Sequence, residues 1–236
     1  MAATDCSCKA LLQCYDKLYK THNYADLTII CGDVKFPVHK LVVCPQSTFL
    51  TNACKFGWKE SSKNEIVLND INIDVPAADP KLITHMIYYF YHFDYLTDEG
   101  ASGNRTYVPP GKRGPEASSP VTHALMYAIA DYYDIPGLKK AAERKYDAVV
   151  KKCSHHSSFV ESIPIVYSMT PDSDRGLRNI VVSTLGESMH LVGGQALNAI
   201  VRETKALAFD LLEFNFSTAC PNEGSGTRRW HDADDC

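Results

Sequence analysis

The sequence lacks the features of membrane, secreted and nucleic-acid-binding chains. No apolar run reaches the roughly 18 residues that a membrane-spanning helix needs, and the first ten residues contain Asp5 but no apolar signal segment. The formal net charge is only −4 and the basic residues are scattered, which favours contact with neither nucleic acid nor an anionic membrane. We therefore expect a cytoplasmic or nuclear protein without direct nucleic-acid or membrane partners.

The short motifs of common catalytic sites are also missing. There is no glycine-rich phosphate loop, because Gly111-Lys112-Arg113 lacks the hydroxyl residue that should follow the lysine. No Gly-x-Ser-x-Gly elbow and no Cys-x-x-Cys pair occurs. The neighbouring His155 and His156 would point about 100° apart on a helix, which does not suit one metal ion. We predict that the chain is not an enzyme and needs no cofactor.

The nine cysteines are odd in number and irregularly spaced. Without a signal for secretion, this pattern indicates free thiols in a reducing compartment. Cys31 and Cys44 stand in apolar stretches and are expected to act as small core residues.

Hydrophobic patterning in the first half predicts a mixture of strands and helices. A helix is expected over 11–20, and two alternating segments around Gly32-Asp33 predict a β-hairpin whose second strand has a free side at Pro37. Pro45 should interrupt the helical pattern of 39–55, with a new helix capped by Ser47 and ended by Gly57. A strand at 65–68 and a helix opened by Asp79-Pro80 follow.

The second half predicts helices after a long loop. Residues 97–120 are rich in Gly, Ser and Pro and indicate a loop, and helices follow around 125–132 and 138–150. Pro164 should kink or shorten the next helix. Thr170-Pro171-Asp172 has the composition of a helix start, and one helix is expected over about 195–214.

The order of these elements, together with several motifs, resembles the BTB/POZ fold. The motifs are Asp26-Leu27-Thr28-Ile29, Phe36-x-Val38-His39-Lys40-x-Val42-Val43, Ser47-x-Phe49-Leu50, Phe56-Gly57-Trp58-Lys59-Glu60-Ser61, Glu65-Ile66-Val67-Leu68 and the block 128–138. The segment 167–178 resembles a helical extension common in fungal members. The resemblance covers about residues 20–220, and the motifs are loose singly but specific together.

This resemblance implies an α+β BTB/POZ domain with an all-α C-terminal extension. We predict an N-terminal segment at 1–20, a BTB/POZ domain at 21–150 with the loop 97–120 as an insertion, a helical extension at 151–220 and a disordered tail at 221–236. The implied function is a protein-binding adaptor or scaffold that forms a homodimer and links clients to a cullin-3 ubiquitin ligase. The alternative is an oligomerisation module of a transcription-associated complex.

Five residues are candidates for an interaction role. In the family, the positions of Asp26 and Lys40 form a charged pocket near the dimer interface, and a local pair that stabilises the fold is the other interpretation. His39 beside them can be a structural, hydrogen-bonded residue or part of the site. Trp58-Lys59-Glu60 is compatible with the hydrophobic-x-Glu signature of cullin-3 contacts, or is an exposed turn with Trp58 packed locally.

The tail offers one further set of side chains. Its sequence resembles a cysteine-rich ending of some fungal relatives, but Glu223 stands where a second cysteine would complete the pair. Four side chains of the tail are of types that bind zinc, namely Cys220, Glu223, His231 and Cys236. A ligand set with a carboxylate is atypical of structural zinc sites. The expectation is a tail without metal, with zinc binding as the alternative.

Overall fold

A three-stranded sheet stands at the centre of the N-terminal half. The computed structural model describes residues 2–55, 64–68, 79–95, 119–153, 157–192 and 195–219. Strands β1 (Leu27–Cys31), β2 (Val34–Val38) and β3 (Glu65–Val67) lie in the order β2-β1-β3, with β2 antiparallel and β3 parallel to β1. The predicted hairpin is confirmed, and Gly32 adopts the positive φ of 56° in its turn. As predicted, Pro37 lies on an edge strand of the described sheet.

A helix and a broken helical segment flank the sheet. Helix α1 (Ala2–Thr21) is longer than the predicted 11–20. After β2 come α2 (Lys40–Val43), a short 3-10 helix (Cys44–Gln46) and α3 (Thr48–Ala53), so the predicted interruption at Pro45 is confirmed. Ser47 caps α3 as predicted, because its Oγ accepts a hydrogen bond from the N–H of Leu50 at 3.1 Å.

Helix α3 ends before the predicted stop at Gly57. The N–H of Cys54 donates to the carbonyl of Leu50 at 3.0 Å, and the N–H of Lys55 then donates to Asn52 at 3.1 Å. This shift to a tighter turn closes the helix at Ala53. Gly57 itself lies outside the described residues.

Three helices complete the described part of the predicted BTB region. Helix α4 (Pro80–His92) begins as predicted, with Asp79 accepting a hydrogen bond from the N–H of Lys81 at 2.8 Å. Helices α5 (Pro120–Tyr132) and α6 (Pro136–Cys153) form an adjacent pair. Helix α6 begins at Pro136 rather than Leu138, because proline fits the first turn of a helix, where its missing N–H costs nothing. The predicted loop 97–120 lies almost wholly outside the described residues.

The described C-terminal part consists of helices α7 (Ser157–Met169), α8 (Gly176–Val192), α9 (Gln195–Glu203) and α10 (Lys205–Ala219). Pro164 does not shorten α7, which continues to Met169. A proline removes one helical hydrogen bond, and the buried Phe159, Ile163 and Val166 fix the turns on both sides of it.

Two predicted helix limits in this part are wrong. The predicted start at Thr170 fails because its hydroxyl donates to the carbonyl of Val166 at 2.6 Å and so closes α7. Asp174 instead accepts from the N–H of Gly176 at 3.2 Å, where α8 begins. The single helix expected over 195–214 is two helices separated at Thr204, a break that lets Leu197 and Leu207 both reach the core.

One continuous hydrophobic core joins the sheet to the extension. It includes Ile29 of β1, Phe90 of α4, Ile129 of α5, Val181 of α8 and Leu211 of α10. The extension therefore packs on the same core as the sheet, and its stability depends on the domain beneath it. Among the described residues, no helix combines the length and apolar character needed to cross a membrane.

Candidate interaction surfaces

His39 is a buried residue at the junction of β2 and α2. Its Nδ1 lies 2.7 Å from the hydroxyl of Tyr91 in α4, and its Nε2 lies 2.7 Å from the carbonyl of Asn23. The His39 N–H donates to the same tyrosine hydroxyl at 3.0 Å. Burial raises the pKa of Tyr91 to about 12, so its hydroxyl stays protonated at neutral pH. Both ring nitrogens of His39 have hydrogen-bond partners within the fold, so the side chain holds the junction of β2 and α2 in place. A direct role of His39 in interaction stays a prediction.

Asp26 and Lys40 meet at that surface, but not as an ion pair between their side chains. The carboxylate of Asp26 accepts a hydrogen bond from the backbone N–H of Lys40 at 2.8 Å, at the start of α2. The ammonium of Lys40 donates to the side-chain oxygen of Asn64, next to β3. The carboxylate therefore satisfies the first N–H of α2 from the residue that precedes β1. The predicted pocket role of the two residues stays a prediction.

Two exposed apolar side chains flank this contact. Tyr24 is 90% exposed and Leu41 is 87% exposed, and they stand next to Ala25-Asp26 and Lys40 in the chain. Tyr24 also has a positive φ of 65°, which is unfavourable for a residue with a Cβ. We call Tyr24, Asp26, Lys40 and Leu41 the β2–α2 surface. An exposed aromatic residue on a strained backbone has the character of a binding anchor.

The second surface is the N-terminal half of α1. Toward its C-terminal end, Tyr15, Leu18 and Tyr19 pack on the core, and Tyr19 contacts the ring of Tyr88 in α4 edge to face. Leu11 and Leu12 continue the same side of the helix, but they are 56% and 40% exposed. We call Leu11 and Leu12 the α1 surface, an apolar row that extends beyond the part of the helix that contacts α4.

A hydrogen bond between Asp16 and His92 joins α1 to α4 beside that surface. Asp16 contacts Nε2 of His92 at 3.1 Å and the ammonium of Lys20 at 2.7 Å. Burial raises the pKa of Asp16, but the hydrogen bonds from Lys20 and His92 outweigh it and leave the pKa below its usual value. The ring of His92 stacks on Tyr88 with centroids 3.8 Å apart. These contacts hold α1 in one orientation and so fix the direction in which Leu11 and Leu12 project.

Some predicted site residues fall in parts that the structure does not describe. Trp58 and Glu60 lie outside the described residues, as do the four candidate zinc ligands Cys220, Glu223, His231 and Cys236. Within the described ranges, no group of three or more His, Cys, Asp or Glu side chains is arranged to hold a metal ion.

Sequence reasoning missed Tyr24, Leu41 and the α1 leucines as surface residues. Leu11 and Leu12 continue a helical apolar row, and such a row normally indicates core. Tyr24 precedes the first strand without any turn signal for a positive φ, which favours Gly or Asn. Only Leu41 could have been identified from the sequence. It occupies a variable position of the motif that resembles the family over 36–43, and a variable position is not required for the core.

The comparisons with known proteins give one family. Residues 15–92 match the model described as BTB/POZ domain. The match begins in the middle of α1 and ends at the last residue of α4, so it spans the sheet, the β2–α2 surface and the packed half of α1. A search of curated proteins finds no significant match.

Proposed function

The chain contains a BTB/POZ domain, a module of protein–protein interaction, and from this premise we propose that it is an adaptor that self-associates and links client proteins to a cullin-3 ubiquitin ligase. The proposed mechanism is proximity, in which one surface holds a second copy or the ligase and another holds the client. No bond chemistry is required of any residue. The single observation that carries the adaptor role is the family match over the sheet and its flanking helices.

Self-association is supported by the α1 surface. Leu11 and Leu12 lie on a helix held by the Asp16 contacts and are about half exposed, so burying each of them would contribute roughly 1 kcal/mol. The family resemblance adds that the positions of Asp26 and Lys40 lie near the dimer interface, so we assign the β2–α2 surface to the same contact.

Two matched variants test this assignment. Leu11 on α1 and Leu212 on α10 are almost equally exposed, at 56% and 57%. We expect Leu11→Asp to shift sedimentation of the purified protein from dimer toward monomer, and Leu212→Asp to leave it a dimer. A wild-type monomer at all concentrations, or equal effects of the two variants, would contradict the α1 assignment.

The link to cullin-3 is supported by sequence alone. Trp58-Lys59-Glu60 has the hydrophobic-x-Glu form, and it follows α3 in the chain. We expect the wild type to retain a purified cullin-3 N-terminal domain, and Trp58→Ala with Glu60→Ala to lose it. The free, described cysteines fit the reducing cytoplasm or nucleus in which such a ligase works. Nuclear co-purification with transcriptional repressors and no cullin-3 would favour the alternative role in a transcription complex.

A further inference from the structure

Two of the described cysteines touch each other. The sulfur atoms of Cys44 and Cys54 are 3.8 Å apart, both thiols are free, and both side chains are half-buried. Cys44 begins the 3-10 helix and Cys54 follows the last residue of α3. The pair therefore spans the two ends of one short helical segment.

The backbone around both cysteines is held by hydrogen bonds. The N–H of Cys54 donates to the carbonyl of Leu50 at 3.0 Å, and the hydroxyl of Thr51 donates to the carbonyl of Cys44 at 2.6 Å. Since a disulfide has a sulfur–sulfur distance of about 2.05 Å, the two sulfurs need to approach by roughly 1.8 Å. Side-chain rotation with a small shift of the helix end supplies a movement of this size, because each sulfur moves on a single rotatable bond from the backbone.

We propose that Cys44 and Cys54 are a redox modification site, at which hydrogen peroxide converts two neighbouring thiols into one reversible disulfide. The proposal rests on the contact between the two sulfurs and is independent of any partner of the chain. In a reducing compartment such a bond forms transiently and is removed by cellular thiols.

The geometry assigns a different role to each sulfur. Burial, with Cys54 as the next cause, raises the pKa of Cys44 to about 12, so Cys44 remains a thiol at neutral pH. Its sulfur lies within donor distance of the Cys54 sulfur, at 3.8 Å, and of the carbonyl oxygen of Leu50, at 4.0 Å. Since Cys44 keeps its proton and contacts the sulfur of Cys54, Cys54 is assigned as the residue that attacks peroxide and Cys44 as the resolving thiol.

The disulfide forms in two steps. The Cys54 thiolate attacks one peroxide oxygen, the O–O bond breaks, and the departing hydroxide takes up a proton to leave as water, which gives a sulfenic acid on Cys54. The sulfur of Cys44 then attacks the Cys54 sulfur, the S–O bond breaks, and the hydroxide leaves as water with the thiol proton. Two thiols and one peroxide give one disulfide and two waters.

Three further cysteines whose side chains the structure describes provide internal comparisons. Cys8 and Cys14 are exposed on α1, and Cys31 is completely buried in β1. Solvent exposure alone would favour oxidation of Cys8 and Cys14. We instead expect the intramolecular disulfide between Cys44 and Cys54, which are less exposed.

Tryptic mapping of the full chain gives a direct test. Cleavage after Lys40 and Lys55 releases residues 41–55, a peptide that contains both Cys44 and Cys54 and no other cysteine. After peroxide treatment and alkylation, we expect this peptide to lose two hydrogen atoms in mass and to carry no alkyl group, with both thiols restored by dithiothreitol. A peptide that still carries two alkyl groups, in a sample whose Cys8 or Cys14 is oxidised, would overturn the proposal.

A variant tests the assigned roles. In Cys44→Ser the resolving thiol is absent, so peroxide should leave a sulfenic acid on Cys54 that dimedone traps as an adduct. The same peroxide should give little adduct on Cys54 of the wild type, because the disulfide forms first. Equal dimedone labelling of Cys54 in both proteins would contradict the proposed site.

Discussion

The hydroxyl of Tyr127 donates a hydrogen bond to the carboxylate of Asp174 at 2.6 Å and so joins α5 to the segment just before α8 in the helical extension. Lys139 of α6 contacts the same carboxylate at 2.8 Å. Burial raises the pKa of Asp174, but Lys139 and Tyr127 outweigh it and hold the pKa below its usual value. A carboxylate shared by three elements makes the extension part of the same cooperative unit as the domain.

Removing that hydroxyl should destabilise the protein. Tyr127→Phe leaves a partly buried carboxylate without one donor, and hydrogen bonds to charged groups contribute about 1.5–3 kcal/mol. We expect the free energy of unfolding in urea to fall by this amount. Tyr24→Phe is the matched control, because Tyr24 is 90% exposed and its variant should unfold like the wild type. Equal stability of Tyr127→Phe and the control would show that the contact contributes nothing.

The pH dependence of stability should reveal the buried His123. Burial, followed by the charges of Lys145 and His85, lowers the pKa of His123 from 6.5 to about 3. The unfolded chain therefore takes up a proton near pH 6.5 and the folded chain does not. The contribution of the neutral His123 to the free energy of unfolding is therefore complete above pH 6.5. It is lost as the pH falls toward 3, at up to about 1.4 kcal/mol per pH unit.

A histidine variant separates this effect from that of the carboxylates. In urea unfolding between pH 7 and pH 4.5, His123→Gln should show a shallower loss of stability with acid than the wild type, whatever its stability at pH 7. His22→Gln, at an exposed turn, should keep the wild-type slope. Parallel curves for wild type and His123→Gln would refute the assignment to His123.

The close packing of α8 on α10 depends on Gly186. A Cβ at Gly186 would lie 2.2 Å from the ring of Phe214, a distance that requires the ring to move. The clash should therefore lower the free energy of unfolding of Gly186→Ala by about 1–3 kcal/mol, offset by the roughly 1 kcal/mol that alanine gains over glycine inside a helix. The cost should shrink in the Phe214→Leu background, where the ring is absent. A double-mutant cycle in urea measures this coupling, and strictly additive effects would exclude the clash.

Tyr24 should contribute to self-association but not to stability. Tyr24→Gly removes an exposed ring and relieves the positive φ of 65°, so the free energy of unfolding should stay constant or rise by up to about 1 kcal/mol. If the β2–α2 surface lies in the dimer contact, sedimentation should show a dimer at least about tenfold weaker, in line with aromatic hot spots. Unchanged dimer affinity would remove Tyr24 from the interface.

Local signals account for the parts of the fold that sequence predicted. The hairpin at Gly32, the caps at Ser47 and Asp79 and the edge position of Pro37 each follow from the chemistry of one or two residues. The family match confirms the α+β fold that these signals indicated.

Long-range contacts account for the features that the sequence did not predict. Thr170 has the composition of a helix start, but its hydroxyl is engaged with Val166 and with the buried Arg178, so Asp174 takes the capping position. Asp26 contacts Lys40 through the backbone N–H and not through the ammonium, a detail that the two side-chain charges do not predict. Such choices depend on which atoms the completed fold brings together, and no local pattern records them.

The proposed adaptor function is tested most directly by the molar mass of the chain in solution, alone and with its proposed partner. The purified chain would be measured by light scattering alone and with the cullin-3 N-terminal domain. We expect twice the chain mass for the protein alone, and one added cullin domain for each chain in the mixture. A chain that stays monomeric and leaves cullin-3 at its own mass would contradict both self-association and the link to the ligase.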